Sequence, residues 1–170
     1  IETVLLINKD ELDGGIVNKL DENKGYGLVL EKGKLNMVLK SGDKICSRES
    51  MQTINDGEYH HIITEVDRDK KDGINIYIDG KLANGKFFGD MQKENLNNSG
   101  DFIVGLTGKD GYLSGTFDFL RVSRGTLEQA ETNINELYNW EFNGPFLKDF
   151  YGKSTNGKSR DVGAIEYIGE

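Results

Sequence analysis

Between residues 54 and 85 apolar and polar positions alternate with a period of two. Ile74, Ile76 and Ile78 alternate with Asn75, Tyr77 and Asp79, and Ile62, Thr64 and Val66 alternate with Ile63, Glu65 and Asp67. Successive side chains on a strand point to opposite faces, so this pattern predicts sheet strands, each with one buried face. Three Asp-Gly pairs, Asp56-Gly57, Asp72-Gly73 and Asp79-Gly80, punctuate the segment. The last pair separates residues 74–78 from 81–83 and predicts a type I′ hairpin, whose two central residues must both take positive φ.

The same pattern predicts strands at 3–7, 15–18, 26–30 and 34–39, the last two joined as a hairpin across Glu31-Lys32-Gly33. Residues 86–99 read as a polar loop holding Phe87, Phe88 and Met91, and a loop of that length is usually either functional or disordered. Strands follow at 101–105 and 115–122. Strict alternation in the second puts Asp118, Leu120 and Val122 on one face, read as inward, and Phe117 and Phe119 on the other. A short helix begins at Thr126, which forms a capping box with Gln129, and carries Leu127, Ala130, Ile134, Leu137 and Tyr138 at helical spacing. Asn143-Gly144-Pro145 stops it. The expected fold is all-β: an antiparallel two-sheet sandwich of jelly-roll type with one short C-terminal helix.

A chain of 170 residues fits one such domain and can bury an ordinary core. Its 22 glycines and single proline suit a protein of many turns. The formal charge of −8 and a pI near 4.9 argue against nucleic acid or an anionic membrane as partner, since either needs a basic face. Segment 143–170 is charge-neutral, with Lys148, Lys153, Lys158 and Arg160 against Asp149, Asp161, Glu166 and Glu170, so the excess acid lies in residues 1–142. Cys46 is the single cysteine, which excludes an intrachain disulfide. The sequence carries no apolar run of ~18 residues and no signal-peptide core, so membrane insertion is not expected.

Tyr59-His60-His61-Ile62, Val66-Asp67-Arg68 and Ile76-Tyr77-Ile78-Asp79-Gly80-Lys81-Leu82 resemble the WHHxxxxxDR and YxDGKL strands of laminin-G-like, concanavalin-A-like domains. Tyr59 stands where that family has Trp. Earlier strands resemble the same family in Gly15-Ile16-Val17-Asn18-Lys19, Gly25-Tyr26-Gly27-Leu28-Val29-Leu30 and Gly33-Lys34-Leu35. Gly115-Thr116-Phe117-Asp118-Phe119-Leu120-Arg121-Val122 resembles the GxIDEVRIY strand, with Phe119 at a usually polar position. Family members carry one more strand ahead of the first seen here, which suggests that the sequence is the C-terminal portion of a longer protein. The resemblance covers residues 1–142. Beyond it, Gly144-Pro145-Phe146, Asp149-Phe150-Tyr151-Gly152 and the run from Arg160 to Tyr167 resemble the closing segment of secreted bacterial parallel-β-helix proteins, many of which act on polysaccharides. Together these resemblances imply a noncatalytic, glycan-binding accessory domain of a secreted, periplasmic or cell-surface bacterial protein. The alternative is a structural module that braces a neighbouring domain of the same polypeptide.

The residues support little catalysis. Glucanases of related fold place acids as ExDxxE on one strand, and that triplet does not occur here. His60 and His61 are adjacent on a strand and face opposite ways, so they cannot chelate one ion together. Asp67, Asp69 and Asp72 lack the glycine and distal glutamate of an EF-hand and read as the acidic rim of a hairpin. The resemblance implies a structural calcium ion, and Asp118 is its candidate ligand; a hydrogen-bonded or Arg-paired Asp118 without an ion is the alternative. Sugar binding would use aromatic faces with amide or carboxylate groups. Tyr112, Phe87, Phe88 and Asp90 are the candidates, whereas Tyr26 and Trp140 correspond to family positions in or against the core.

Overall fold

A computed structural model of the chain describes residues 1–90, 93–107 and 111–127. Its strands are β1 (Glu2–Ile7), β2 (Gly14–Leu20), β3 (Lys24–Glu31), β4 (Lys34–Ser41), β5 (Lys44–Thr53), β6 (Tyr59–Val66) and β7 (Ile74–Ile78), then β8 (Lys81–Leu82), β9 (Asn84–Phe88), β10 (Ile103–Val104), β11 (Leu106–Thr107), β12 (Gly111–Tyr112) and β13 (Gly115–Arg121). Five strands form one antiparallel sheet in the order β13-β1-β6-β7-β8, and six form the other in the order β10-β2-β3-β4-β5-β9; β11 and β12 make a small ribbon. The helix expected from Thr126, with Trp140, and the segment 143–170 lie outside the described residues, as does Met91.

The core lies between the two sheets. Leu5 and Ile7 of β1, Leu28 and Leu30 of β3, Leu35, Met37 and Leu39 of β4, Ile62 of β6 and Ile74, Ile76 and Ile78 of β7 form it with Ile16, Val17 and Cys46. Apart from Ile16 and Val17, neighbours at a bulge in β2, these residues share one phase of the alternation on their strands, which is why pattern and burial agree. The Asp79-Gly80 turn has φ of 51° and 74°, as its hairpin type requires, and Lys32-Gly33 has the same character with φ of 52° and 76°.

Four expectations need correction. Strand β5 follows a third tight turn, at Gly42, and its inward residues are Cys46, Arg48 and Ser50 while Ile45 and Met51 are exposed. The hydrophobic pattern there is inverted, which hid the strand. Second, the start of the supposed loop at 86–99 is strand β9, paired with β5 through Ser47 opposite Phe88 and Arg48 opposite Phe87.

Residues 93–99 of that stretch form a strap across one end of the sandwich. Leu96 packs on the core, the Asn98 side chain donates to the carbonyls of Lys19 at 2.9 Å and Lys24 at 3.0 Å, and Glu94 pairs with Lys44 at 2.7 Å. Arg68 donates to the Glu94 carbonyl, and Lys93 lies 3.7 Å from Asp69. The acidic rim of the β6–β7 turn is thus met by cations: Lys70 is 3.2 Å from Asp67, and Arg48 is 3.2 Å from Asp72.

Third, β13 carries a bulge: Val4 pairs with Phe119 and Leu5 with Phe117, which leaves Asp118 as the extra residue. The bulge resets the alternation. Phe117 and Leu120 both pack against the core, Phe119 is half-buried beneath the Arg121 guanidinium, and Asp118 is exposed rather than inward. The Thr3 hydroxyl donates to the Phe119 carbonyl at 2.6 Å and steadies the irregularity.

Fourth, β6 is buried on both faces from His61 to Thr64. On the side away from the core, Glu2, Val4, His61 and Ile63 are all buried. Glu2 accepts hydrogen bonds there from His61 Nε2 at 2.9 Å and from Arg121, so the buried carboxylate is paired.

Candidate functional site

The six-stranded sheet turns one face to the core and the other outward. Because Leu35, Met37 and Leu39 point inward, Lys34, Asn36, Val38 and Lys40 of β4 point outward. On β3 the outward set is Gly25, Gly27, Val29 and Glu31, and on β5 it includes Ile45, Ser47 and Glu49. Register brings these together: Val29 and Glu49 both pair with Asn36, Gly27 and Ser47 with Val38, and Glu31 with Lys34. Val29 and Val38 therefore adjoin a polar group on β3, β4 and β5, while the Leu20 side chain of β2 lies over Gly27.

The polar group is internally connected. Asn36 Nδ2 donates to Glu31 Oε2 at 2.8 Å, and Lys34 Nζ lies 3.8 Å from Glu49 Oε1. Asn36 Oδ1 is shielded from solvent and accepts no hydrogen bond. The sequence contained a signal for these residues, the polar phase of the alternation in β4, but that phase is read by default as plain solvent-facing surface.

The structure separates the aromatic candidates. Phe87 points inward, packs partly buried against the core and lies 5.0 Å from the Arg48 guanidinium. Phe88, its neighbour on the strand, faces the other way beside Ser47 and is 61% exposed. Asp90 is exposed just beyond, after Gly89, whose φ of 76° lets the chain run close against the Ile45 carbonyl. Tyr112 is 66% exposed on β12, whose backbone and Leu113 pack on Gly14 of β2. It therefore stands near the opposite edge of the sheet, five strand spacings or ~24 Å from β9. Phe88 with Asp90, and Tyr112, are two rims and not one pocket.

Asp118, the proposed calcium ligand, is exposed at its bulge, and among the described residues no group of three or more His, Cys, Asp or Glu side chains is placed to hold a metal ion. Calcium takes six to eight oxygens, so at the exposed Asp118 most of them would have to come from backbone carbonyls, amides and water. The histidines diverge as alternation demands. His60 Nδ1 is 2.7 Å from Asp79 Oδ2, its Nε2 is 3.1 Å from Asp56 Oδ1, and its pKa is raised, chiefly by the Asp79 hydrogen bond. Asp79 Oδ1 also accepts the His61 amide at 2.9 Å, so this carboxylate ties the β7–β8 turn to the start of β6. Both histidines are engaged in holding strands and turns.

The sequence profile of the concanavalin A-like lectin/glucanases superfamily, of laminin G type, matches residues 7–133. The chain belongs to this superfamily. Among solved structures, the binding domain of Paraclostridial Mosquitocidal Protein 1 is similar, with 21% identity and a TM-score of 0.62 over 90% of this chain. At that identity the likeness shows the shared fold, and the chain spans 39% of the length of that structure. No curated protein matches the sequence significantly. As in other concanavalin A-like sandwiches, two antiparallel sheets enclose the core of this lectin/glucanase-superfamily domain. Among the described residues no helix is long and apolar enough to cross a membrane.

Proposed function

We propose that the chain is a noncatalytic, glycan-binding accessory domain of a secreted bacterial protein, with the outward face of the six-stranded sheet as its ligand surface. The observation that carries this reading is the composition of that face: amide, carboxylate and ammonium groups beside Val38, with exposed Phe88 at one rim and Tyr112 at the other. Hydroxyl recognition and stacking on an aromatic ring are the two interactions that a sugar offers. Superfamily membership supports a binding role, as does likeness to a domain named for binding in a mosquitocidal protein. A bacterial, extracellular setting is part of the proposal and rests on the same likeness. Glycan and a neighbouring domain are the proposed partners; nucleic acid is not among them.

Isothermal titration against a panel of polysaccharides, each with calcium and with chelator, tests the reading, together with an assay for released reducing ends. Saturable binding without release of reducing ends is expected, weakened by Phe88→Ala. Silence across the panel sinks it, and reducing ends released by the purified chain sink its noncatalytic half.

One observation favours a second reading, a module that braces an adjacent domain. Ile45 and Met51 of β5 and Leu82 of β8 are exposed apolar side chains near the same edge as Phe88. Should glycans fail while Met51→Asp and Leu82→Asp abolish association with the rest of the parent protein, that reading takes over.

A further inference from the structure

We infer that Glu31, Lys34, Asn36 and Glu49 form a hydroxyl-recognition subsite selective for uncharged saccharides bearing neighbouring hydroxyls. This inference rests on the glycan-binding reading above. The four side chains come from three adjacent strands and share the outward face by register, since Glu31 is opposite Lys34 and Asn36 is opposite Glu49. Rigid strands position them, in contrast to loop-borne groups.

Their chemistry matches a pair of adjacent hydroxyls. Each carboxylate offers acceptor sites beyond the one in use, Glu31 toward Asn36 Nδ2 and Glu49 toward Lys34 Nζ. Asn36 holds the Glu31 carboxylate in place through Nδ2. A sugar hydroxyl is both donor and acceptor, so it can donate to Glu49 or Glu31 while accepting from Lys34. Val38, partly exposed on β4 beside this group, offers an apolar contact to one side of a ring, whereas Leu20 lies over Gly27.

Charge sets the selectivity. The subsite contains two carboxylates and one ammonium, within a chain of net charge −8. A uronate or sulfate brought here would meet two like charges and one opposite charge with no arginine fork to offset its desolvation. Uncharged rings carry no such cost.

The test compares a neutral β-glucan, a neutral mannan and polygalacturonate by isothermal titration, using the intact chain and the variants Asn36→Ala, Glu49→Gln and Glu31→Gln, with Glu58→Gln as a distant control. Circular dichroism melts establish that each variant is folded. The expected result is binding to a neutral glycan that changes little between low and high salt, weakened about tenfold or more by Asn36→Ala and Glu49→Gln and unchanged by Glu58→Gln. Neutral-glycan binding that survives all three subsite variants overturns this assignment and leaves the glycan reading intact. Preference for polygalacturonate overturns the selectivity. No binding to any glycan in the wider panel overturns the reading on which the inference depends.

Discussion

Replacing Arg48 by alanine should destabilise the sandwich by about 3 kcal/mol. The side chain is 7% exposed, on the inward face of β5, and reaches across to the other sheet. Its Nη1 donates to the Gly85 carbonyl at 3.1 Å, its Nη2 donates to the Asp72 carbonyl and carboxylate, each at 3.2 Å, and its guanidinium lies 5.0 Å from the Phe87 ring. Two hydrogen bonds from a charged donor to carbonyls contribute about 1.5–3 kcal/mol each when measured by deletion. The ring contact adds about 0.5–2 kcal/mol. The Asp72 carboxylate is largely in solvent, so that ion pair adds at most about 1 kcal/mol. Against this, Nε is shielded and has no acceptor, an uncompensated desolvation that trims the total. Urea unfolding should show R48A with a lower midpoint and an unchanged slope, and its Tm should fall by roughly 6–12 °C. R48M keeps apolar packing on Phe87 but no donor, and should lose nearly as much as R48A. A loss below about 1 kcal/mol for R48A, or an R48M that keeps most of the stability R48A loses, would refute the claim that donated hydrogen bonds and not bulk make this clamp.

His60 supplies a pH dependence. Its pKa in the fold is raised above 6.5, so its contribution is fully present below pH 6.5 and is lost as pH climbs through the raised value. The stability gap between the intact chain and His60→Gln should therefore narrow as pH rises above 6.5 in urea titrations; a constant gap would contradict the Asp79–His60 contact as a charged one. Cys46 is buried, and burial first, then the charge of Asp90, pushes its thiol up, so a thiol reagent should label it only at the rate of opening. Labelling at the rate of a free thiol would contradict its place in the core. Lys32 holds φ at 52° in a two-residue turn, and Lys32→Gly should stabilise by about 0.5–1 kcal/mol in thermal melts, a gain that a turn of another type would not show.

The sandwich was legible wherever one face of a strand was apolar and the other polar, as in β4 and β7. It was not legible in β5, because the interior there is filled by Cys46, Arg48 and Ser50, and Arg48 belongs inside only once Gly85, Asp72 and Phe87 have been brought to it by the fold. Phe87 was misread for the same reason: its partner is a buried arginine on a strand that the pattern concealed. Asp118 was misplaced because a bulge moves every later side chain to the other face, and nothing in a period-two count marks where a bulge falls. The supposed functional loop begins as the end of β9 and closes as a strap over residues 93–99, since the amide of Asn98 and the apolar Leu96 find partners far away in sequence. The proposed ligand face was not read from the sequence: the polar phase of β4 looks like plain surface, and only strand register brings Glu31 and Glu49 beside Asn36.

Amide chemical shifts of the isotopically labelled chain, followed while a neutral oligosaccharide is titrated, test the account most directly. Shifts that saturate together at Gly27, Val29, Glu31, Asn36, Val38, Ser47 and Glu49 are predicted, with Phe88 at their margin. Shifts confined to the Lys93–Gly100 strap or to the β6–β7 turn, with the outward face of the six-stranded sheet unmoved, would contradict it.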